Sequence, residues 1–191
     1  MHTYTDLVND DTLYEDYVVN LNVVRYVDSS INLLSEEERG MFEIKDCGDY
    51  EEAKKLIREY SEIKGAESCF VSLDKELADL DTYYKDGALL IGFENENPIA
   101  TIAIKRIDKD TCEAKRLYIK PDYRGKGYAR VLMNEMLDRS RKLGFKEVTF
   151  TTKPEVMSIG YGLYKRMGFE EVNCTDGVAS IRMTYKLYVS G

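Results

Sequence analysis

Histidine is all but missing from this chain: His2 is the one copy in 191 residues. The four cysteines, Cys47, Cys69, Cys112 and Cys174, stand far apart and form no CxxC pair. Zinc-type ligand spacing is therefore absent, no metal is expected, and the body of the chain has no imidazole to serve as a general base. Free thiols of a reducing compartment are the expectation for the cysteines.

Long apolar runs are missing too. The longest fall far short of a membrane span, and the opening residues, MHTYTDLVNDD, are acidic where a secretory signal would be basic and then apolar. A cytoplasmic protein with no membrane partner is expected. Internal repeats and low-complexity linkers are also absent, which favours one α/β domain with an appendage.

With 43% hydrophobic and 32% charged residues, the composition is that of an ordinary globular protein. The net charge of −8 is unevenly placed: residues 1–40 hold nine acidic and two basic side chains, whereas residues 41–191 hold 26 and 25. Within 115–130 the sign reverses, with six basic residues against Asp122 alone. A local cationic stretch on a near-neutral body suits a small polyanion. Nucleic acid would want a broader basic surface, so no nucleic-acid partner is expected.

Apolar positions at 14, 17, 18, 21, 24, 27, 31 and 34 predict a helix in the acidic appendage, residues 1–40. Two roles stand open for it, covering part of the main core or forming a homodimer or partner contact. The remainder, 41–191, reads as a strand at 41–45, a helix at 50–63 capped by Asp49, and one or two helical turns at 74–80. A polar turn at 83–87 precedes a hairpin of 88–93 and 98–107 and a strand at 112–119. A helix at 127–143, a strand at 147–152, a helix from Pro154 to about 167 and closing strands at 169–172 and 180–188 complete it.

The stretch 112–136, CEAKRLYIKPDYRGKGYARVLMNEM, joins an apolar strand, a proline bend, a Gly-x-Gly turn between basic residues and an amphipathic helix. The free N–H groups of a helix's first turn, its dipole and nearby cations all favour an anion at one spot. A Walker loop would need GxxxxGK[ST], and a dinucleotide fingerprint would need a small residue where Arg130 stands. Neither is present. Gly160 and Gly162, inside the last predicted helix, each cost about 1 kcal/mol relative to alanine, which suits close approach of a ligand or another backbone.

Arg124-x-x-Gly127-x-Ala129, set after Leu117-Tyr118-Ile119, resembles the [Q/R]-x-x-G-x-[G/A] signature of the Gcn5-related N-acetyltransferase (GNAT) family, and Leu163-Tyr164-Lys165-Arg166-Met167-Gly168-Phe169 resembles that family's LY-x-x-x-GF segment. The resemblance covers 41–191. It implies an α/β (α+β) fold with a mixed, mostly antiparallel central sheet of about six to seven strands flanked by helices. It also implies acetyl transfer from the cosubstrate acetyl-CoA to an amine, with a small-molecule acceptor favoured. The backbone of Gly125, Lys126, Gly127, Tyr128, Ala129 and Arg130 would meet the CoA pyrophosphate, with charge from Arg124 and Lys126. The strand Leu117, Tyr118, Ile119 would hold the pantetheine arm, and the N–H of Leu117 or Tyr118 would be the oxyanion donor. Tyr164 would protonate the leaving thiolate. Glu113 would be the general base, beside the alternative that it only pairs with Lys115 or Arg106; unbroken alternation would put it on the face of Lys115, Leu117 and Ile119. Gly160 stands where the family usually has alanine, and Met157 where many members have a cofactor-contacting asparagine. A non-catalytic CoA-binding module with the same fold is the alternative reading.

Overall fold

The computed structural model describes residues 42–65, 67–172 and 180–187, so the expected helix of the acidic appendage lies outside the described residues. The first strand, β1 (Phe42–Asp46), leads into α1 (Tyr50–Ser61), where the Asp49 carboxylate accepts the N–H of Glu51 at 2.9 Å and of Glu52 at 3.4 Å. This is the N-cap expected of that aspartate. The helix buries Ala53, Leu56 and Ile57. A short 3₁₀ turn at Glu67–Phe70 follows, then two brief helices, α2 (Leu73–Ala78) and α3 (Leu80–Tyr84). The expected polar turn from 83 is thus partly helix, because Tyr84 is buried beneath it.

Strands β2 (Ala88–Glu94) and β3 (Asn97–Arg106) form the expected hairpin around a tight turn at Asn95 and Glu96. Both turn residues have positive φ, 48° and 66°, the sense that matches the twist of two antiparallel strands. Then come β4 (Thr111–Ile119), α4 (Tyr128–Lys142), β5 (Glu147–Thr152), α5 (Ser158–Arg166), β6 (Glu170–Val172) and β7 (Ile181–Lys186). The helix expected from Pro154 begins only at Ser158. The Lys153 carbonyl accepts the N–H groups of Val156 (3.0 Å) and Met157 (2.8 Å), closing a separate turn. Met157, at φ −122° and ψ 44°, lies outside helical geometry and stops that turn from merging with α5.

The seven strands form one sheet in the order β1-β2-β3-β4-β5-β7-β6, antiparallel except for β4 and β5. One face carries the larger core, where Leu132, Met133 and Met136 of α4 pack on Ile102, Ile104, Cys112 and Val148. The other face carries a smaller core of Leu56, Ile57, Leu77 and Leu80 on Leu89, Ile91 and Ala103. Strands β2 and β3, buried on both faces, are near-continuous apolar runs for this reason.

Pairing between the parallel strands is short. It runs from Thr111↔Glu147 to Glu113↔Thr149 and ends there, although β4 continues to Ile119 and β5 to Thr152. The sheet is split at its centre.

Candidate active site

The split begins where β4 carries a bulge. Opposite β3 the register passes from Ala103↔Lys115 to Thr101↔Tyr118, so β4 spends one extra residue there. Arg116 sits in this interval at φ +60°, the left-handed region, which costs a non-glycine residue about 1–2 kcal/mol. A bulge bends its strand and re-aims the residues after it.

The bulge changes which side chains share a face. Cys112, Ala114, Leu117 and Ile119 pack against the α4 core, whereas Tyr118 belongs to the α1–α3 core and Arg116 stacks over Phe70 at 4.4 Å. Alternation before the bulge places Glu113 and Lys115 on the α1–α3 side. Glu113 therefore faces with Lys115, Arg116 and Tyr118; the face expected for it with Leu117 and Ile119 would have required unbroken alternation.

Backbone direction follows from the far end of the strand. The N–H of Lys120 donates to the Ile99 carbonyl of β3 at 2.9 Å. Counting back in twos, Tyr118 turns its N–H to β3, while Ile119 and Leu117 turn theirs toward the opened side. Of the two candidate oxyanion donors, Leu117 has the N–H that faces the split. The Ile119 carbonyl, on that side too, accepts a 3.0 Å bond from Arg124 Nε.

A cleft of about 420 Å³ fills the split. Glu113, Lys115, Arg116 and Leu117 line it from β4, Phe150 to Thr152 from β5, Tyr164 from α5, and Tyr60, Val71 and Ser72 from the α1–α2 side. The ring of Tyr164 is wedged edge-on against Phe150, centroids 4.5 Å apart. A Cβ added at Gly160 would lie 3.2 Å from the Tyr164 hydroxyl, so the glycine one turn earlier makes room for it. Met157 also lines the cleft, its sulfur 3.8 Å from the hydroxyl of Tyr60. Glu113 stands at the apex, in the last paired position of β4 and β5, with Lys115 Nζ 3.4 Å from its carboxylate.

One polar atom in this wall lacks a partner. Thr152 is buried, yet among the described residues its hydroxyl finds no hydrogen-bond partner. An unsatisfied buried hydroxyl costs about 1–3 kcal/mol, so Thr152→Val is expected to melt no lower than the parent protein. If a ligand meets that hydroxyl in the cleft, the same variant raises the KM for that ligand several-fold, which steady-state kinetics would read.

Beyond the end of β4, Gly125 (φ +80°) and Gly127 (φ +78°) turn the chain into α4. Among the described residues the N–H groups of Gly125 to Ala129 take no protein partner, while those of Arg130 and Val131 return to the Gly127 carbonyl at 3.1 and 3.4 Å. Five consecutive donors are thus open at the positive end of a 15-residue helix. The two cations expected to add charge are both engaged. Arg124 is folded back on Ile119, and Lys126 Nζ lies 2.8 Å from Glu94, which also accepts a short hydrogen bond from Tyr128.

Two thiols are described, and neither offers a nucleophile. Burial pushes Cys47 and Cys112 up to about 11, and Cys112 lies on the α4 side of β4, away from Glu113. Among the described residues no group of acidic, cysteine or histidine side chains could hold a metal, and no helix is long and apolar enough to cross a membrane.

A central sheet split between two parallel strands, with a donor-rich turn at the mouth of the split, defines the acetyltransferase fold class. The chain superposes on a Thermoplasma acidophilum PaiA N-acetyltransferase solved in complex with coenzyme A, with TM-score 0.62, 26% identity, and 76% of this chain against 99% of that one. It matches a Streptococcus agalactiae acetyltransferase in fold, with TM-score 0.63, 23% identity, and 76% of this chain against 98% of that one. In sequence it is 29% identical over 126 residues to an uncharacterised N-acetyltransferase of Schizosaccharomyces pombe, covering 64% of this chain and 77% of that one. The family described as the acetyltransferase (GNAT) family matches residues 51–169, and the chain belongs to it.

The sequence had pointed to the glycine turn, Tyr164 and Glu113. It missed Glu94 as the partner of Lys126, the fold-back of Arg124, and the bulge at Arg116. Only the bulge had a faint signal, the adjacent charges Lys115 and Arg116, which unbroken alternation would put on opposite faces.

Proposed function

We propose that the protein transfers the acetyl group of acetyl-CoA to the amine of a small molecule by direct attack. The observation that carries the reading is the split itself: the Leu117 N–H faces it from β4, and Tyr164 lines it from α5. In this reading the open N–H groups of Gly125 to Ala129 meet the pyrophosphate, and the thioester carbonyl lies against Leu117. The amine nitrogen attacks the carbonyl carbon, and the oxyanion is held by that N–H, a contribution of about 3–4 kcal/mol in other acyl-transfer sites. Collapse breaks the C–S bond. The sulfur takes a proton from Tyr164, and Glu113 takes the proton of the attacking amine. Neither Cys47 nor Cys112, the two thiols among the described residues, lines the cleft, which supports direct transfer without those thiols as acyl carriers. Their standing as free thiols suits a cytoplasmic protein.

Thermal melting with acetyl-CoA, ATP or NAD tests the ligand, because binding to the folded state raises the melting temperature. A shift with acetyl-CoA alone is expected, and none at saturating acetyl-CoA would overturn the reading. Release of the CoA thiol on a fixed panel of amino acids, dipeptides and polyamines tests the reaction. Tight acetyl-CoA binding without turnover on that panel would favour a non-catalytic CoA-binding module.

The Glu94–Lys126 pair supplies a sharper expectation. Lys126 is half exposed and already neutralised, so it adds little net charge to the pyrophosphate site. Glu94→Gln keeps an acceptor for Tyr128 and frees the cation. The KM for acetyl-CoA should fall by about two- to fivefold, the size of a surface ion pair, and the gain should vanish at high salt. An unchanged KM at low salt would show that Lys126 does not reach the phosphates.

A further inference from the structure

The strained residue of β4 is held by a charge pair that the chemistry above does not use. Glu76 is 0% exposed and Arg116 is 5% exposed. Arg116 Nε donates to Glu76 Oε1 at 2.8 Å, and its Nη2 donates to Oε2 at 2.5 Å, a two-pronged match of guanidinium and carboxylate. Tyr84 of α3 donates a further 2.6 Å bond to Glu76 Oε1, and the guanidinium lies 4.4 Å from the centre of the Phe70 ring. Both carboxylate oxygens are thus engaged, and the guanidinium is held between the carboxylate and the Phe70 ring.

A pair this deeply buried is a poor device for stability alone. Desolvating two ions consumes most of the Coulomb gain, and apolar residues of similar volume often do as well. What the pair does provide is direction. Arg116 is held at φ +60° inside the one-residue bulge, and the next residue is Leu117, whose N–H faces the split. Left-handed geometry at a non-glycine residue persists only where the surroundings over-determine it. Glu76 sits on α2, just after Val71 and Ser72, which line the cleft, and its own N–H donates to the Ser72 carbonyl at 3.1 Å. The cleft wall at Val71 and Ser72 and the bulge of β4 are therefore joined through one carboxylate.

We propose that Glu76 and Arg116 are positioning residues: their buried ion pair fixes the left-handed bulge of β4 and so aims the N–H of Leu117 at the thioester carbonyl. This rests on the oxyanion reading of Leu117 given above. It predicts that the pair acts on the rate of transfer far more than on acetyl-CoA binding, because the donors of the pyrophosphate turn lie beyond it on the chain.

The test uses the full chain, labelled with ¹⁵N-leucine, and the amine of the fixed panel that is acetylated fastest. Glu76→Gln keeps the shape but presents an N–H where Arg116 needs an acceptor. For this variant kcat should fall by about 30-fold or more, part of the 10²–10³ that loss of an oxyanion donor costs. The KM for acetyl-CoA and the melting shift caused by CoA should stay within about threefold and a few degrees of the parent values. The Leu117 amide resonance, displaced by acetyl-CoA in the parent protein, should move much less in the variant. Should Glu76→Gln fail to fold, the double variant Glu76→Met/Arg116→Met replaces the pair with apolar volume, and the same loss of kcat is expected. Wild-type kcat in either folded variant overturns the proposal alone. A Leu117 resonance that ignores acetyl-CoA in the parent protein overturns the oxyanion reading, and the proposal with it.

Discussion

Tyr164→Phe should lower kcat for CoA release by about 10²–10⁴, the usual worth of a positioned general acid, while leaving the fold intact. The substitution removes one oxygen and keeps the ring. That ring is held edge-on by Phe150 at 4.5 Å and by Phe169 at 6.2 Å, and phenylalanine keeps both ring contacts. The melting temperature should therefore stay within a few degrees of the parent. The KM for acetyl-CoA should change only a few-fold, since a proton given to the departing sulfur stabilises the transition state and not the bound thioester. Gly160 is part of the same arrangement, because a side chain there would press on the hydroxyl from 3.2 Å. A parental rate from folded Tyr164→Phe would remove this residue as the acid and leave the acyl-transfer reading to stand on the split sheet.

The largest loss of stability from a single added methyl is expected at Gly87, far from any chemistry. A Cβ there would lie 1.9 Å from the Ile104 carbonyl oxygen and 2.8 Å from its carbon, both main-chain atoms of β3. No flexible side chain can yield, so β2 must part from β3 at Ala88↔Ile104, the first pair of a ladder buried on both faces. Gly87→Ala should cost about 3–5 kcal/mol and lower the melting temperature by roughly 6–20 °C. Gly48→Ala, where an added Cβ meets nothing within 4 Å, is the matched control and should change stability by less than about 1 kcal/mol. Equal melting temperatures for the two variants would contradict the strand contact at Gly87.

Local features of this protein were legible in its residues. The Asp49 cap, the amphipathic stripe of α4, the β2–β3 hairpin and the stops at Gly144 and Gly168 depend on neighbours within a few positions, and they stand where periodicity and turn chemistry put them. The late start of α5 is the exception among them. Pro154 is well suited to a first helical turn, but the Lys153 carbonyl captured two N–H groups in a separate turn.

Pairings between distant segments were not legible. Nothing within β7 says that it lies between β5 and β6, since strand order depends on long-range closure of the sheet. Lys126 looked like a phosphate ligand because it sits in a glycine turn, yet Glu94, 32 positions away, neutralises it. Glu76 follows helical spacing with Leu73, Leu77 and Leu80 and reads as an odd charge in an apolar stripe. Its partner, 40 positions on, lies at the bulge.

The pattern of strand, bend, glycine turn and helix across 112–136 was thus determined by the sequence alone, because glycines at positive φ and a helix start with open N–H groups are local properties. Tertiary structure decided that the strand half of that pattern bulges at Arg116, that Leu117 rather than Tyr118 presents its N–H, and that Tyr164 stands across from it. Each of these depends on which remote backbone and which buried charge β4 meets, and a strand's own alternation carries no record of either.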